Sequence, residues 1–257
     1  MLLAIDVGNT QTHIGMIRGE ELVESWRLAT DRGATGDKLA TLLASLLSLR
    51  ELRLADVDAA IVSSVVPQLG REYEQVSARY LEGALQMVGP GLKTGMPLRI
   101  DNPHEVGADR VVNAVAAYER FGGACISVDF GTTINYDVVS GEGEYLGGVI
   151  APGVEISIEA LSQRAARLFK VDLAAPRQTI GKNTEAAVLA GVVYGFAGQV
   201  DAIVSRLREE LGEEATSVAT GGLAGPIVPH CEEIDEVDDL LTLTGLRLIW
   251  ERNRANS

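Results

Sequence analysis

The feature that most constrains this chain is a five-residue pattern that occurs twice. Asp6-Val7-Gly8-Asn9-Thr10 lies near the start and Asp129-Phe130-Gly131-Thr132-Thr133 near the middle, an offset of 123 residues from Asp6 to Asp129. Each copy follows a short apolar run, at Leu2 to Ile5 and at Ala124 to Val128, and precedes a second segment of strand character. An apolar run of this length that ends in an acid and a glycine reads as a buried strand closing into a tight turn. Two such units half a chain apart indicate two similar α/β lobes built by internal duplication. The Gly- and Pro-rich stretch from Pro90 to Pro103 is the natural connection, giving lobes over residues 1–100 and 101–257.

The remaining pattern fits two lobes. In the first, strands are expected at 12–17 and 21–28 around an Arg18-Gly19-Glu20 turn, then at 58–63 and from Leu85 to Val88. Asp37 can cap a helix that carries Leu39, Leu42, Leu43, Leu46 and Leu47 on one apolar face, and a second helix runs from Pro67 to Leu81. In the second lobe, a helix over 106–120 leads to strands at 124–128, 134–139, 144–150 and 215–219. Helices follow at 153–169, 183–211 and 239–252.

Charge narrows the function. A formal net charge of −14 argues against nucleic acid as the main partner, because phosphate backbones attract basic surfaces. The acidic stretch Glu232 to Asp239 reads as solvated surface. Cys125 and Cys231 form no metal-type pair and no disulfide framework, and Cys125 reads as a small buried hydrophobe. The opening residues lack the basic start of a signal peptide, and no stretch approaches the roughly 20 apolar residues of a membrane span, so a cytoplasmic location is expected.

The two turns have a plain chemical use. Glycine lets the backbone approach a phosphate, and the amides and hydroxyls of Asn9, Thr10, Thr132 and Thr133 can donate to its oxygens. Asp6 and Asp129 can hold a metal ion, directly or through water. Either turn alone is an ordinary hairpin; together they suit a clamp on a triphosphate. Thr220-Gly221-Gly222, after the strand at 215–219, adds a flat backbone surface and a helix start that favours negative charge. Other nucleotide and hydrolase signatures are missing: there is no G-x-x-x-x-G-K-[ST], no G-x-G-x-x-G, no H-E-x-x-H and no G-x-S-x-G. The three histidines, His13, His104 and His230, read as surface or structural residues.

The sharpest local signal is Asp101-Asn102-Pro103-His104-Glu105-Val106-Gly107-Ala108-Asp109-Arg110. Set between the two phosphate turns, it resembles the type III pantothenate kinases, members of the actin-like ATPase superfamily. The resemblance continues in order through Gly147 to Gly153, Gly181-Lys182-Asn183-Thr184, Thr220-Gly221-Gly222 and Leu241-Thr242-Leu243-Thr244-Gly245-Leu246. It implies two ribonuclease H-like α/β lobes with mixed sheets and a nucleotide cleft between them. It implies phosphorylation of pantothenate by ATP to 4′-phosphopantothenate, the first step of coenzyme A synthesis. It further implies a homodimer that needs Mg2+ or another divalent cation and a monovalent cation, K+ or NH4+.

By the same resemblance, Asp109 is the base for the pantothenate hydroxyl, and Gly107, Ala108 and Arg110 help hold that substrate; the adjacent positive charge of Arg110 is expected to keep Asp109 ionised. Thr184 reaches the acceptor site from the neighbouring subunit. Asp6, Val7, Gly8, Asn9, Thr10, Gly131, Thr132, Thr133, Gly221 and Gly222 bind ATP, and Asp6 and Asp129 serve the cations. Two positions depart from the family pattern: Ile134 and Asn135 stand where further threonines are usual, and Ile100 where an aromatic residue is common. Ile134 cannot donate to a phosphate, which keeps open a nucleotide-binding regulatory protein without turnover; a kinase for another small hydroxyl acceptor also stays open, because a fold does not determine its substrate.

Overall fold

A computed structural model describes residues 1–165 and 171–254. The strand β1 (Leu2–Val7) forms from the first apolar run, all of it buried except Asp6. It pairs antiparallel with β2 (Gln11–Arg18), which pairs antiparallel with β3 (Glu21–Ala29). On its other side β1 pairs parallel with β4 (Ala59–Ser64), and β4 with β5 (Ala84–Met87). The sheet order is β3-β2-β1-β4-β5.

The second sheet repeats this plan. Its central strand β6 (Cys125–Phe130) begins 123 residues after β1, at the offset of the repeated motif. It pairs antiparallel with β7 (Thr133–Val139), which pairs antiparallel with β8 (Tyr145–Pro152). Parallel to β6 on its other edge lies β9 (Thr216–Thr220), followed by the two-residue β10 (Glu236–Val237). Read from its β8 edge, the order is β8-β7-β6-β9-β10, strand for strand the order of the first sheet. Both sheets are mixed, as expected, and the duplication read from ten residues extends to all ten strands.

Helices cover these sheets. α1 (Gly36–Ser48) is capped by Thr35, whose hydroxyl accepts from the Lys38 amide, and not by Asp37. Asp37 sits in the first turn, where its carboxylate accepts from Arg79 and the Tyr80 hydroxyl at 2.6 Å each. Leu39, Leu43 and Leu47 are buried at successive turns, whereas Leu42 faces outward. α2 (Pro67–Tyr80) starts with proline at a position where the missing N–H costs nothing, and buries Leu69, Tyr73 and Val76. α3 (Ala108–Phe121) carries the Asp109-Arg110 motif in its first turn. α4 (Val154–Arg164) and the 28-residue α5 (Thr184–Leu211) pack on the second sheet, and α6 (Leu241–Arg254) ends the described chain. The expected helix 153–169 is observed to Arg164, and its last positions lie outside the described residues.

The chain divides into two compact units, and they do not follow a single cut. One comprises Met1–Met96, Asn102–Ala116 and Leu241–Ser257; the other comprises Pro97–Asp101 and Ala117–Leu240. The division at residue 100 differs from this by the segments 97–100, 102–116 and 241–257. Leu3, Ile5, Val7, Ile14, Leu43, Leu47, Val62 and Leu69 belong to the core of the first unit. Val128, Phe130, Ile134, Tyr136, Val193, Val200 and Val204 belong to that of the second.

Two readings from composition need correction. The stretch Glu232 to Asp239 is not simply solvated, because its carboxylates knit the β9–β10 edge. Arg208 pairs with Glu233 at 2.5 Å and with Asp235 at 2.6 Å, Ser217 donates to Asp235 at 2.9 Å, and Arg120 bridges Glu236 and Asp238. The second concerns α5, which by length and composition alone is apolar enough to cross a membrane. Its stripe Val193, Ala197, Val200 and Val204 lies in the core of the second unit, which accounts for part of that apolarity. His13 and Cys125 behave as read. His13 is buried and, by desolvation and the neighbouring charge of Arg27, its pKa falls to about 4, so it stays neutral near pH 7. Burial pushes the Cys125 thiol up to about 12, an unreactive state.

Candidate active site

The first turn is built by the chain reversal between β1 and β2. The Gly8 amide donates to the Gln11 carbonyl at 2.9 Å, and a Cβ at Gly8 would lie 2.8 Å from that oxygen. Only glycine closes this turn without moving backbone. Asn9 and Thr10 stand exposed at its tip, whereas Val7 is fully buried and its carbonyl accepts from Val65. Val7 can therefore offer a ligand no side-chain contact. A feature the sequence reading did not single out braces the turn from behind. The Thr30 hydroxyl donates to the Gly8 carbonyl at 2.9 Å, and the Thr30 amide to the Thr10 carbonyl at 2.8 Å.

The same unit holds the Asp109 segment. Asn102 caps a short 3-10 turn over Pro103–Glu105 by accepting from the His104 amide, and its own amide group donates to Glu105 at 2.7 Å. Next come Gly107 and the start of α3. A Cβ at Gly107 would fall 2.4 Å from Asp109 Oδ1, so glycine is what leaves room for that carboxylate to fold back over the helix start. Asp109 Oδ1 accepts from the Arg110 amide at 2.9 Å. Desolvation is the dominant influence on Asp109 and raises its pKa; hydrogen bonds and the Arg110 charge pull the other way without winning. The expectation that Arg110 holds Asp109 ionised is thus corrected, because the charge of Arg110 offsets burial only in part.

α3 is held in place by α6. Deep in this unit the Thr242 hydroxyl donates to Asn113 Oδ1 at 2.7 Å, one turn along α3 from Asp109. A Cβ at Gly245 would lie 2.2 Å from the Val112 carbonyl, so the two backbones meet with no side chain between them. This gives the Leu241-to-Leu246 motif a physical role that its sequence did not reveal: it seats the helix that presents Asp109.

The second unit holds the remaining candidates. In its turn the Gly131 amide donates to the Thr133 carbonyl at 3.0 Å, and the Thr133 hydroxyl to Asn135 at 3.0 Å. Gly153 is pressed against this turn, since a Cβ there would stand 2.1 Å from the Thr132 carbonyl. Asp129 lies opposite Thr220 in the β6–β9 register, and a Cβ at Gly221 would be 2.5 Å from Asp129 Oδ1 and 2.6 Å from the Phe130 carbonyl. Asp129 and Gly221, 92 positions apart in the chain, therefore touch. Ile134 is fully buried in the core, so its side chain takes no phosphate-facing place from a threonine. Ile100 sits close to Gly147, whose Cβ would be 3.5 Å away.

Thr184 opens α5, where the Asn183 side chain caps the helix by accepting from the Ala186 amide at 2.8 Å. It borders a groove of about 670 Å3 between α4 and α5, lined also by Ser157, Leu161, Ala187, Gly191 and Phe196. Among the described residues, no group of three or more His, Cys, Asp and Glu forms a metal cage. Single carboxylates such as Asp6 and Asp129 suit Mg2+, which is commonly held by one or two carboxylates together with substrate phosphates and water.

The family model for type III pantothenate kinase matches residues 2–206. A type III pantothenate kinase of Streptomyces avermitilis is 52% identical over 261 residues, covering 98% of each chain. Among solved structures, a Campylobacter jejuni protein named as a Baf family transcriptional activator superposes with a TM-score of 0.61 at 18% identity, covering 98% of this chain and 99% of its own. The ROK hexokinase of Thermus thermophilus superposes at 0.52 with 14% identity, covering 100% and 99%. These last two establish the actin-like ATPase and sugar-kinase fold, and the near-full-length identity establishes more: the chain belongs to the type III pantothenate kinases, enzymes that phosphorylate pantothenate with ATP at the entry to coenzyme A synthesis.

Proposed function

We propose that this chain transfers the γ-phosphoryl group of ATP to the hydroxyl of pantothenate, with Asp109 aligning that hydroxyl and accepting its proton. The observation that carries this reading is a partly desolvated carboxylate, cleared by Gly107, at the start of a helix locked from behind by Thr242 and Gly245. Phosphoryl transfer asks the protein mainly for position and charge, plus one group to orient the nucleophile. Gly107, Ala108 and Arg110 line the approach to that group. Asn9, Thr10 and Thr132 donate to phosphate oxygens, Thr133 joins them once its hydroxyl turns from Asn135, and Gly221 and Gly222 take the adenosine side. A divalent cation, when bound, neutralises phosphate charge, and Asp6 and Asp129 are the residues that would hold it or its waters. A monovalent cation, K+ or NH4+, and a cytoplasmic location complete the reading.

The assay is coupled ADP release with ATP, Mg2+ and K+, with and without pantothenate. Release that depends on pantothenate supports the reading, release with another small alcohol reassigns the acceptor, and none with any acceptor leaves a nucleotide-binding regulator.

We also propose that the active form is a homodimer, with Thr184 serving the partner's acceptor site. Gly191, Gly195 and Gly198 lie along α5 with open space where a Cβ would be, and Gly191 and Gly195 also line the groove of about 670 Å3 beside α4. Light scattering should give a dimer at micromolar concentration, and Gly195→Glu, which adds charge and bulk to that face, should give an inactive monomer. A wild-type monomer with full activity would sink the dimer.

A further inference from the structure

Beyond β3 the chain does not leave the first turn but wraps it. In addition to the two Thr30 contacts, Thr12 and Thr30 hydroxyls meet at 2.9 Å. Two residues on, Arg32 donates from Nε and Nη2 to the Asn9 carbonyl at 3.3 and 3.2 Å, and from Nη2 to Asn9 Oδ1 at 3.0 Å. Its acidic neighbour is engaged elsewhere: Asp31 accepts from the Gly33 amide at 3.0 Å and pairs with Lys38 at 2.5 Å. Among the described residues, no carboxylate forms an ion pair with Arg32. A chain with a net charge of −14 thus keeps an exposed guanidinium, in no ion pair with an acid, against Asn9 of this turn.

The consequence for Asn9 is geometric. A carboxamide has one accepting and one donating end, and it can flip between two orientations of similar shape. A cation bound to Oδ1 fixes which end is which, so the donating Nδ2 is the end turned away from Arg32. In the opposite orientation Oδ1 would face an incoming phosphate and repel it. The positive charge of Arg32 also favours an anion beside it.

We infer that Arg32 is a positioning residue for the polyphosphate of the nucleotide, acting through the carboxamide of Asn9. The inference rests on the reading of Gly8-Asn9-Thr10 as a phosphate turn. Its test is steady-state kinetics on Arg32→Ala, Arg32→Lys, Asn9→Ala and the Asn9→Ala/Arg32→Ala double variant, with thermal melting of each. Arg32→Ala is expected to raise KM for ATP by about 10-fold, the scale of one charge-assisted hydrogen bond, while kcat and KM for pantothenate stay within about twofold. Arg32→Lys keeps the charge but cannot hold Oδ1 and the carbonyl together, so it should recover only part of the loss. In the Asn9→Ala background, removing Arg32 should add less than about twofold, because coupled residues are not additive.

Independent, multiplying effects of the two substitutions would overturn the inference, as would an unchanged ATP KM in Arg32→Ala beside a raised one in Asn9→Ala. A fall in kcat and melting temperature without a selective change in ATP KM would make Arg32 merely structural. If Arg32→Ala does not fold, Arg32→Lys carries the same readouts. An unchanged ATP KM in Asn9→Ala would instead remove the phosphate-turn reading itself.

Discussion

Asp109→Asn should lower turnover by roughly 100-fold or more, the usual scale for loss of a general base. Pantothenate and ATP should still bind. The substitution keeps the shape and a hydrogen-bonding group but cannot accept a proton from the attacking hydroxyl. Because Gly107 clears space for this side chain and α6 anchors the helix beneath it, the asparagine should occupy the same place. Turnover measured beside calorimetric binding of pantothenate separates the outcomes. Near-normal turnover would remove Asp109 from the chemistry, and lost binding with normal turnover at saturation would reassign it to substrate capture.

The pH profile gives a second readout of the same residue. Burial raises the Asp109 pKa, so the protonated, inactive form persists to higher pH than in an exposed carboxylate. Activity should therefore fall as pH decreases through a midpoint above the usual carboxylate range, and this acid limb should vanish in Asp109→Asn. The sign for stability is opposite. A carboxyl whose pKa is raised by folding stabilises the fold at low pH, and that contribution disappears as pH rises through the folded value.

Gly221→Ala is expected to damage the second unit strongly, because strain and a backbone clash coincide there. Gly221 has a φ of +97°, where other residues carry strain of about 1–3 kcal/mol. Its added Cβ would also lie 2.6 Å from the Phe130 carbonyl and 2.5 Å from Asp129 Oδ1. The carboxylate can swing aside, but the carbonyl belongs to the central strand β6 and cannot. Relief must come from opening the β6–β9 contact, which displaces both Asp129 and the Thr220-Gly221-Gly222 surface. The variant should melt several degrees lower, at roughly 2–4 °C per kcal/mol for a protein of this size, and bind ATP at least about 10-fold more weakly. Gly225→Ala, where a Cβ would meet nothing within 4 Å, is the matched control. Calorimetric ATP binding equal to wild type in Gly221→Ala would show that the close approach is dispensable.

Much of this molecule was legible before any coordinates. Strand periods, turn glycines and the offset from Asp6 to Asp129 carried the two-sheet plan, because a buried strand followed by a phosphate-type turn is a local pattern. The ordered motifs carried the family for the same reason. Local chemistry misled where several side chains compete for one role. Thr35 took the cap from Asp37, since Arg79 and Tyr80 hold the Asp37 carboxylate. Glu233, Asp235, Glu236 and Asp238 found Arg208 and Arg120, which lie up to 118 positions away.

The sequence by itself determined the strand–turn–strand units, the presence of the helices and the family, all of which depend on neighbours within a few positions. Only the tertiary structure decided which glycines are required and by what. Gly221 answers to Asp129 and Phe130, Gly245 to Val112, and Gly153 to Thr132. It also decided that burial outweighs Arg110 at Asp109, that Ile134 points into a core, and that segments 102–116 and 241–257 belong with the first unit. Each of these depends on what folding brings within a few ångströms, and contact between residues far outside one helical turn or strand period leaves no spacing in the chain to read.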